Sequence, residues 1–284
     1  MNVLTTNKIL SPKLTDNTFE KEYKKSGAVI IKHFIRREIV AECNTLFKQY
    51  CSVEIPKQNI WFSNVNLPFE TGWELSQKLL ALLLPSIEIY FSGYRVEMAT
   101  LVCKFPETES FLHLHRDFTI SDETQFEYRN VWIPLVDLNT ENGSLFYIPS
   151  SNNVFTEPSY YDTPRLFDSQ FKFYKPYLHY FKGKAGEAFV YSEKTLHGSF
   201  YNKSQYPRPA LHFGLLHSET QLLDTVKTAP NTYKSYKTDI RKMHERDMGK
   251  KKYDDECLVN EFQFVPTTFT DSEKLILLQK CKAL

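Results

Sequence analysis

The sequence has few of the features that are typical of secreted proteins, membrane-spanning proteins or proteins with a structural zinc site. Its five cysteines are odd in number and never occur as a Cys-x-x-Cys pair, so neither a disulfide framework nor a structural zinc site is expected. The N-terminus MNVLTTNKIL lacks the basic region and apolar run of a signal peptide. The longest apolar stretch, residues 79–84, stops at Pro85 and is too short to cross a bilayer. These absences predict a cytoplasmic protein.

The sequence also lacks an excess of either charge. Lys plus Arg number 35 and Asp plus Glu number 34, for a net charge of +1. Neither a nucleic acid nor a membrane is therefore expected as partner, which leaves a small-molecule substrate. Aromatic residues are plentiful, with 22 Phe and 17 Tyr, and favour a β-rich fold.

The order of patterns predicts one domain over residues 1–284, with a β core between helical N-terminal and C-terminal coverings. A short helix capped by Asp16 or Thr18, an amphipathic helix over residues 37–50 and a helix over residues 73–84 precede the core. Pro85 is expected to end the third of these helices. The core, about residues 94–217, consists of strand-like segments: VEMATLVCKF, ESFLHLHRDF, YRNVWIPLVDL, GSLFYIPS, GEAFVYS and PALHFGLLH. After about residue 230 the pattern becomes charged and helical, and FTDSEKLILLQKCKAL is a candidate last helix.

A His-x-Asp pair at His115 and Asp117 is the first candidate for chemistry. In a strand, alternate side chains share one face, so this imidazole and this carboxylate point toward the same side. A third ligand is available further along the chain at His197, after the strand-like GEAFVYS. Two histidines and one carboxylate on one face of a metal form the site of non-haem Fe(II) oxygenases, with open positions for a 2-oxo acid and for O2.

A 2-oxo acid that has a second carboxylate, remote from the metal, needs a cationic side chain to bind it, and the sequence offers one. Arg208 follows His197 on the next predicted strand, and arginine binds a carboxylate through two parallel hydrogen bonds. Ser199 is placed to donate another hydrogen bond to the same group. A surface charge beside Pro207 and Pro209 is the alternative role for Arg208.

From Leu101 to Leu216 the chain resembles the phytanoyl-CoA dioxygenase family of 2-oxoglutarate-dependent oxygenases. The matching pieces are KFPETESFLHLHRD, VWIPLVDLNTENGSLFYIPSSN and KAGEAFVYSEKTLHGSFYNKSQYPRPAL. The resemblance implies a mainly β fold with flanking helices and a double-stranded β-helix core of the jelly-roll, cupin-like type. It also implies Fe(II) at the His-Asp-His triad and 2-oxoglutarate at Arg208 and Ser199, with Trp132 lining the cosubstrate pocket. Ser150 and Asn152 depart from the family's IPGSH-like segment, which affects the local loop and not the metal ligands.

The implied reaction is oxygenation of a C–H bond of a small metabolite, an amino acid derivative or a natural-product intermediate. Related halogenases have Gly or Ala in place of the carboxylate, so Asp117 favours hydroxylation, with desaturation or oxidative cyclisation as variants. A peptide or protein hydroxylase with the same site is the first alternative. The second is a non-catalytic metal-binding β-barrel in which His113 helps to bind zinc. Otherwise His113 is a substrate-pocket residue, and the tyrosine-rich loop over residues 159–180 is a candidate lid.

Overall fold

The computed structural model of the chain describes residues 9–51, 60–106, 110–161, 163–167, 170–247 and 253–284. The α-helices are α1 (Asn17–Ser26), α2 (Arg37–Tyr50), α3 (Ser63–Asn66), α4 (Phe69–Tyr90), α5 (Phe171–Tyr174), α6 (Ile240–Asp247) and α7 (Asp271–Ala283). The first strands are β1 (Lys13–Leu14), β2 (Ala28–Ile31), β3 (Trp61–Phe62), β4 (Phe91–Ser92), β5 (Tyr94–Lys104), β6 (Leu112–His115), β7 (Arg129–Pro134) and β8 (Leu145–Tyr147). The remaining strands are β9 (His179–Tyr180), β10 (Ala188–Ser192), β11 (His197–Ser199), β12 (Arg208–His217), β13 (Leu223–Ala229), β14 (Thr232–Lys237) and β15 (Leu258–Gln263).

Two antiparallel sheets form the centre of the fold. A six-stranded sheet has the order β2-β10-β7-β12-β5-β3, and a four-stranded sheet has the order β6-β11-β8-β9. Strand β10 packs against an apolar cluster on each of its faces. Ala188 and Val190 belong to one cluster. Phe189 and Tyr191 belong to the other, which includes Leu145 of the smaller sheet. Alternation along a strand produces this two-sided burial. The mainly β core with flanking helices predicted from the sequence is confirmed.

The six-stranded sheet extends beyond the core predicted over residues 94–217. Strand β2 pairs with β10, and β3 pairs with β5, so the N-terminal part contributes strands at both edges of the sheet. Helix α1 begins at the cap residue Asp16, and Gly27 ends it with a positive φ of 74°. This left-handed conformation favours glycine and releases the chain into β2.

A buried ion pair joins α1 to the six-stranded sheet. Glu20 accepts hydrogen bonds from both terminal nitrogens of Arg129 on β7, at 2.8 and 3.0 Å. The guanidinium also lies over the ring of Tyr23, 4.0 Å from its centroid. Each charge has a partner, so this contact fixes the position of α1 on the sheet, and removal of either partner alone would leave a buried charge unpaired.

The prediction that Pro85 ends its helix was wrong, because α4 runs from Phe69 to Tyr90 with Pro85 inside it. Proline removes one helical hydrogen bond, but Pro85 and the carbonyl-bearing Ala81 are both exposed, so water can satisfy the freed oxygen. The buried face continues past the proline through Leu83 and Ile87. Burial of that face therefore keeps the last turn helical.

The sequence predicted a helical C-terminal covering. The structure instead contains an antiparallel sheet of β13, β14 and β15 in this region. Helix α7 forms where the sequence predicts the last helix, and a capping box between Thr270 and Glu273 defines its start. Its buried residues Leu278 and Cys281 join the apolar cluster around Phe146 of β8. Within the described residues, none of the helices combines the length and apolarity needed to cross a membrane.

Candidate metal centre

The smaller sheet brings the candidate metal ligands together. His115 is the last residue of β6 and His197 the first of β11, and the two are direct partners in the antiparallel ladder. Asp117 lies just beyond β6, where its backbone N–H donates to the carbonyl of Glu193 at 3.2 Å. Ligand atoms of His115, Asp117 and His197 all lie within 4.8 Å of one another. One strand pair and one anchored turn therefore create the three-residue group.

Hydrogen bonds set both imidazoles in the orientation that a metal needs. Nδ1 of His115 lies 2.8 Å from the carbonyl oxygen of His113, and Nδ1 of His197 lies 3.0 Å from that of Thr195. A carbonyl only accepts, so each Nδ1 carries the proton and each Nε2 retains its lone pair. Both Nε2 atoms lie 3.8 Å from Oδ1 of Asp117. Two neutral imidazole nitrogens and a carboxylate oxygen at such separations fit a single divalent metal ion.

Burial sets the charge state of this group. Burial, together with the neighbouring His197, lowers the pKa of His115 to about 4, and the charge of Arg165 acts in the same direction. Burial also lowers the pKa of His197 to about 4, and it raises the pKa of Asp117. At neutral pH both histidines are uncharged, so a metal ion has no proton to displace from them.

The far oxygen of Asp117 is held by a pair of residues that the sequence analysis did not identify. The amide nitrogen of Asn130 on β7 donates to Oδ2 of Asp117 at 2.7 Å. Nε2 of His212 on β12 lies 3.1 Å from the amide oxygen of Asn130 and donates to it. This arrangement leaves Oδ1 directed at the histidines. Strand alternation offered a signal, since His212 shares a strand face with Arg208.

Arg208 is a buried cation at the start of β12, and its side chain is 1% exposed. Its guanidinium lies 5.0 Å from the ring centroid of Trp132, and burial lowers its pKa to about 10. Among the described residues, Nε and Nη1 of Arg208 have no hydrogen-bond partner. By contrast Lys104, its partner in the ladder, donates to the carbonyls of Ser110, Ser199 and Phe200. Unpaired N–H groups on a buried cation fit an anionic ligand.

The remaining predicted site residues are Ser199, Trp132 and His113. Ser199 is buried on β11, on the strand face it shares with His197 by alternation. Trp132 is buried on β7 and contacts Arg208. The ring of His113 lies against Phe111, 4.8 Å between centroids, and His113 is not among the ligand group that the described residues form.

A cavity of about 650 Å³ opens beside His115 and Asp117. Its walls come from the residues after β6, from residues 157–161 and 163–166 and from the segment over residues 266–269 ahead of α7. The first part of the predicted lid loop therefore lines the same cavity as His115 and Asp117, together with the segment before α7. The cavity lies in the size range of small-molecule sites.

The sequence profile of the phytanoyl-CoA dioxygenase family matches residues 82–210, a little under half of the chain. The match includes all three residues of the triad and ends just past Arg208. No curated protein matches the chain.

Several solved structures share the fold at low sequence identity. The α-ketoglutarate-dependent epimerase SnoN from nogalamycin biosynthesis is 16% identical, with a TM-score of 0.54 over 72% of this chain and 82% of that one. HygX from Streptomyces hygroscopicus, with nickel, 2-oxoglutarate and hygromycin B bound, is 15% identical, with a TM-score of 0.52 over 72% and 88%. The carbocyclase SnoK, also from nogalamycin biosynthesis, is 15% identical, with a TM-score of 0.51 over 73% and 86%. The jelly-roll fold predicted from the sequence is thereby confirmed.

Proposed function

We propose that the chain is a 2-oxoglutarate-dependent dioxygenase similar to the phytanoyl-CoA dioxygenase family, and that His115, Asp117 and His197 bind its Fe(II). The observation that carries this proposal is the convergence of the three ligand atoms within 4.8 Å. The fixed Nδ1–H groups of both histidines support it, because they leave both Nε2 lone pairs available. Asn130 supports it further by keeping Oδ1 of Asp117 directed at the histidines.

We propose that Arg208 and Ser199 bind the remote carboxylate of 2-oxoglutarate. A buried guanidinium with unpaired N–H groups is costly unless an anion binds it, and a carboxylate pairs with two of its donors at once. Trp132 lies over the guanidinium and keeps water from that side. A non-catalytic metal-binding β-barrel would not need Arg208 to bind a carboxylate.

When bound, Fe(II) with 2-oxoglutarate and O2 supplies the oxidising power that breaks a C–H bond, while 2-oxoglutarate leaves as succinate and carbon dioxide. The residues of the chain perform the positioning. His115 and His197 present neutral Nε2 atoms, Asp117 contributes the negative charge, and Arg208 orients the cosubstrate. Residues 157–161 and 163–166 line the cavity in which the substrate carbon has to lie.

The proposed reaction is hydroxylation of a C–H bond in a small metabolite, an amino acid derivative or a natural-product intermediate. The cavity of about 650 Å³ supports a small molecule over a peptide. The carboxylate at Asp117 supports oxygenation over halogenation. SnoN and SnoK show that an epimerase and a carbocyclase also use this fold, so desaturation and oxidative cyclisation are the variants to look for in product analysis.

The test is a titration of the air-free protein with Fe(II) and then 2-oxoglutarate, followed in the visible spectrum. We expect a weak metal-to-ligand charge-transfer band in the wild type, because the keto acid chelates the metal. His197→Ala is expected to abolish this band, and Arg208→Ala is expected to raise the 2-oxoglutarate concentration needed to form it by roughly 100-fold.

His179→Ala is the matched control, because His179 is an exposed histidine on β9 outside the ligand group. This variant is expected to retain the wild-type band. Absence of a band in the wild type, together with zinc in the purified protein, would contradict the proposal. A His113→Ala variant that loses this zinc would then favour the metal-binding β-barrel.

A further inference from the structure

Among the described residues that line it, the cavity beside the triad has an excess of positive charge. Apart from the candidate ligands, the charged residues of this described lining are the cations Arg116, Arg165 and Lys274 and the anion Glu157. Aromatic rings from Phe118, Tyr160, Tyr161 and Phe269 form much of the remaining wall. Such a site attracts a molecule with an anionic group and an apolar body.

Two of the three cations already have partners. Nη1 of Arg116 donates to the carbonyls of Phe155 and Glu157. Lys274 donates to the amide oxygen of Gln170 at 3.1 Å and lies 3.7 Å from the carboxylate of Asp271. Both side chains therefore hold the walls of the cavity together.

The anion among the described lining residues is also engaged. The carboxylate of Glu157 accepts hydrogen bonds from the backbone N–H of Thr267, at 3.2 Å, and from the Thr267 hydroxyl. Glu157 thus joins the loop to the segment before α7 and does not neutralise a neighbouring cation within 4 Å in the described part of the chain.

Arg165 differs from the other charged residues of the cavity. It follows Pro164 in the loop and has neither an ion-pair nor a hydrogen-bond partner among the residues that the structure describes. The loop is held on both sides of it, by the hydrogen bond from Thr119 N–H to the Ser159 carbonyl, 2.7 Å, and by the buried ring of Phe167. The backbone that carries Arg165 is therefore anchored, and its exposed guanidinium has no donor engaged by the described residues.

We propose that the substrate carries an anionic group, a carboxylate or a phosphate ester, and that Arg165 binds this group while the apolar body lies against the aromatic wall. This inference rests on the proposed function, because it assigns the cavity beside the triad to the substrate. A planar guanidinium pairs with either anion through two parallel hydrogen bonds. Arg165 then determines which molecules are accepted and which carbon reaches the metal.

The experiment uses full-length protein loaded with Mn(II) and saturating 2-oxoglutarate, so that the Arg208 site is already occupied. The probes are phenylacetate, phenyl phosphate and the neutral phenylacetamide, and the readout is the paramagnetic relaxation of their protons. Relaxation reports binding close to the metal. We expect one or both anions to bind in the wild type and phenylacetamide to bind about tenfold more weakly, because it lacks the charge. The stronger of the two anions identifies the preferred group.

Arg165→Ala is expected to weaken binding of the anion about tenfold and to leave phenylacetamide unchanged. Arg165→Lys is expected to recover part of the loss, since it retains the charge without the two-pronged geometry. Arg37→Ala removes an exposed arginine on α2, away from the cavity, and is expected to behave as the wild type.

Three results would overturn the inference: phenylacetamide binding as tightly as the stronger of the two anions, unchanged binding of that anion in Arg165→Ala, or no relaxation by either anion in protein that has bound Mn(II) and 2-oxoglutarate. Failure of the wild type to bind Mn(II) and 2-oxoglutarate is a different outcome. It contradicts the proposed function itself, and with it the assignment of the cavity.

Discussion

At the scale of single residues, Asn130 connects the ligand group to the larger sheet. Its amide donates to Asp117 and accepts from His212, so one side chain sets which carboxylate oxygen faces the histidines. In Asn130→Ala the far oxygen loses its donor and Asp117 can rotate. We expect the Mn(II) affinity to fall about 10- to 100-fold, measured by titration of the metal-free protein.

The control for this prediction is Asn44→Ala. Asn44 is also a partly buried asparagine, but it donates to backbone carbonyls of α2 and of Leu135. This variant is expected to lose some stability and to keep its metal affinity. Equal metal affinities in Asn130→Ala and the wild type would contradict the positioning role.

The sequence predicts the ligand group better than its surroundings. His115, Asp117 and His197 are identifiable because strand alternation and the resemblance both select them, and the structure brings them together. Asn130 and His212 were not identified, since their role depends on the register between β7 and β12. That register is a long-range property that no local pattern determines.

At the scale of elements, Pro85 in α4 gives a prediction about stability. The residue is exposed, lies in the helix interior and removes one backbone hydrogen bond. Pro85→Ala restores that hydrogen bond, which stabilises the folded state. It also increases the conformational entropy of the unfolded chain, which offsets part of the gain. We expect the free energy of unfolding to rise by about 1–2 kcal/mol, measured by urea denaturation.

Ser86→Ala is the neighbouring control and is expected to change the free energy of unfolding by less than about 0.5 kcal/mol. A Pro85→Ala protein that is less stable than the wild type would show that the proline relieves a constraint at the end of the helix.

Burial explains both differences between the predicted and the observed elements. Local signals predicted a helix end at Pro85 and a helical C-terminal covering. In α4, burial of Ile87 extends the apolar face past the proline and keeps the helix intact. In β14, Tyr233 and Tyr236 are buried although charged residues flank them. Strands with so many lysines have a weak local pattern, and their pairing partners stabilise them.

At the scale of the whole molecule, the lid loop and the C-terminal region form one wall of the cavity. The ring of Tyr160 contacts Tyr233 of β14, Phe262 of β15 and Phe264, with centroid distances of 5.2, 5.7 and 5.2 Å. Phe264→Ala removes one of these contacts and is expected to increase opening of the loop roughly tenfold. Trypsin cleavage after Arg165 in the native state measures that opening.

Val265→Ala is the control, because Val265 is the next residue and is exposed. It is expected to leave the cleavage rate at the wild-type value. A Phe264→Ala protein that is cleaved no faster than the wild type would show that the C-terminal sheet does not hold the loop.

The same contacts bear on the predicted domain organisation. Residues from the N-terminal helices and both edges of the six-stranded sheet share one apolar cluster, and α7 contributes to the cluster under the smaller sheet. We therefore propose that the whole chain is a single domain. The sequence predicted the β core and the position of α7, whereas the contact between lid and C-terminal sheet depends on residues far apart in the chain.

If Arg208 binds 2-oxoglutarate as proposed, its buried guanidinium links the lifetime of the protein to metabolism. Nε and Nη1 have no partner among the described residues, which lowers the stability of the empty protein, and an anion that binds there adds RT ln(1 + [L]/Kd) to that stability. A cell short of the keto acid would hold more of this chain in the unfolded form, where proteases act. The abundance of the enzyme would then follow the supply of the molecule that it consumes.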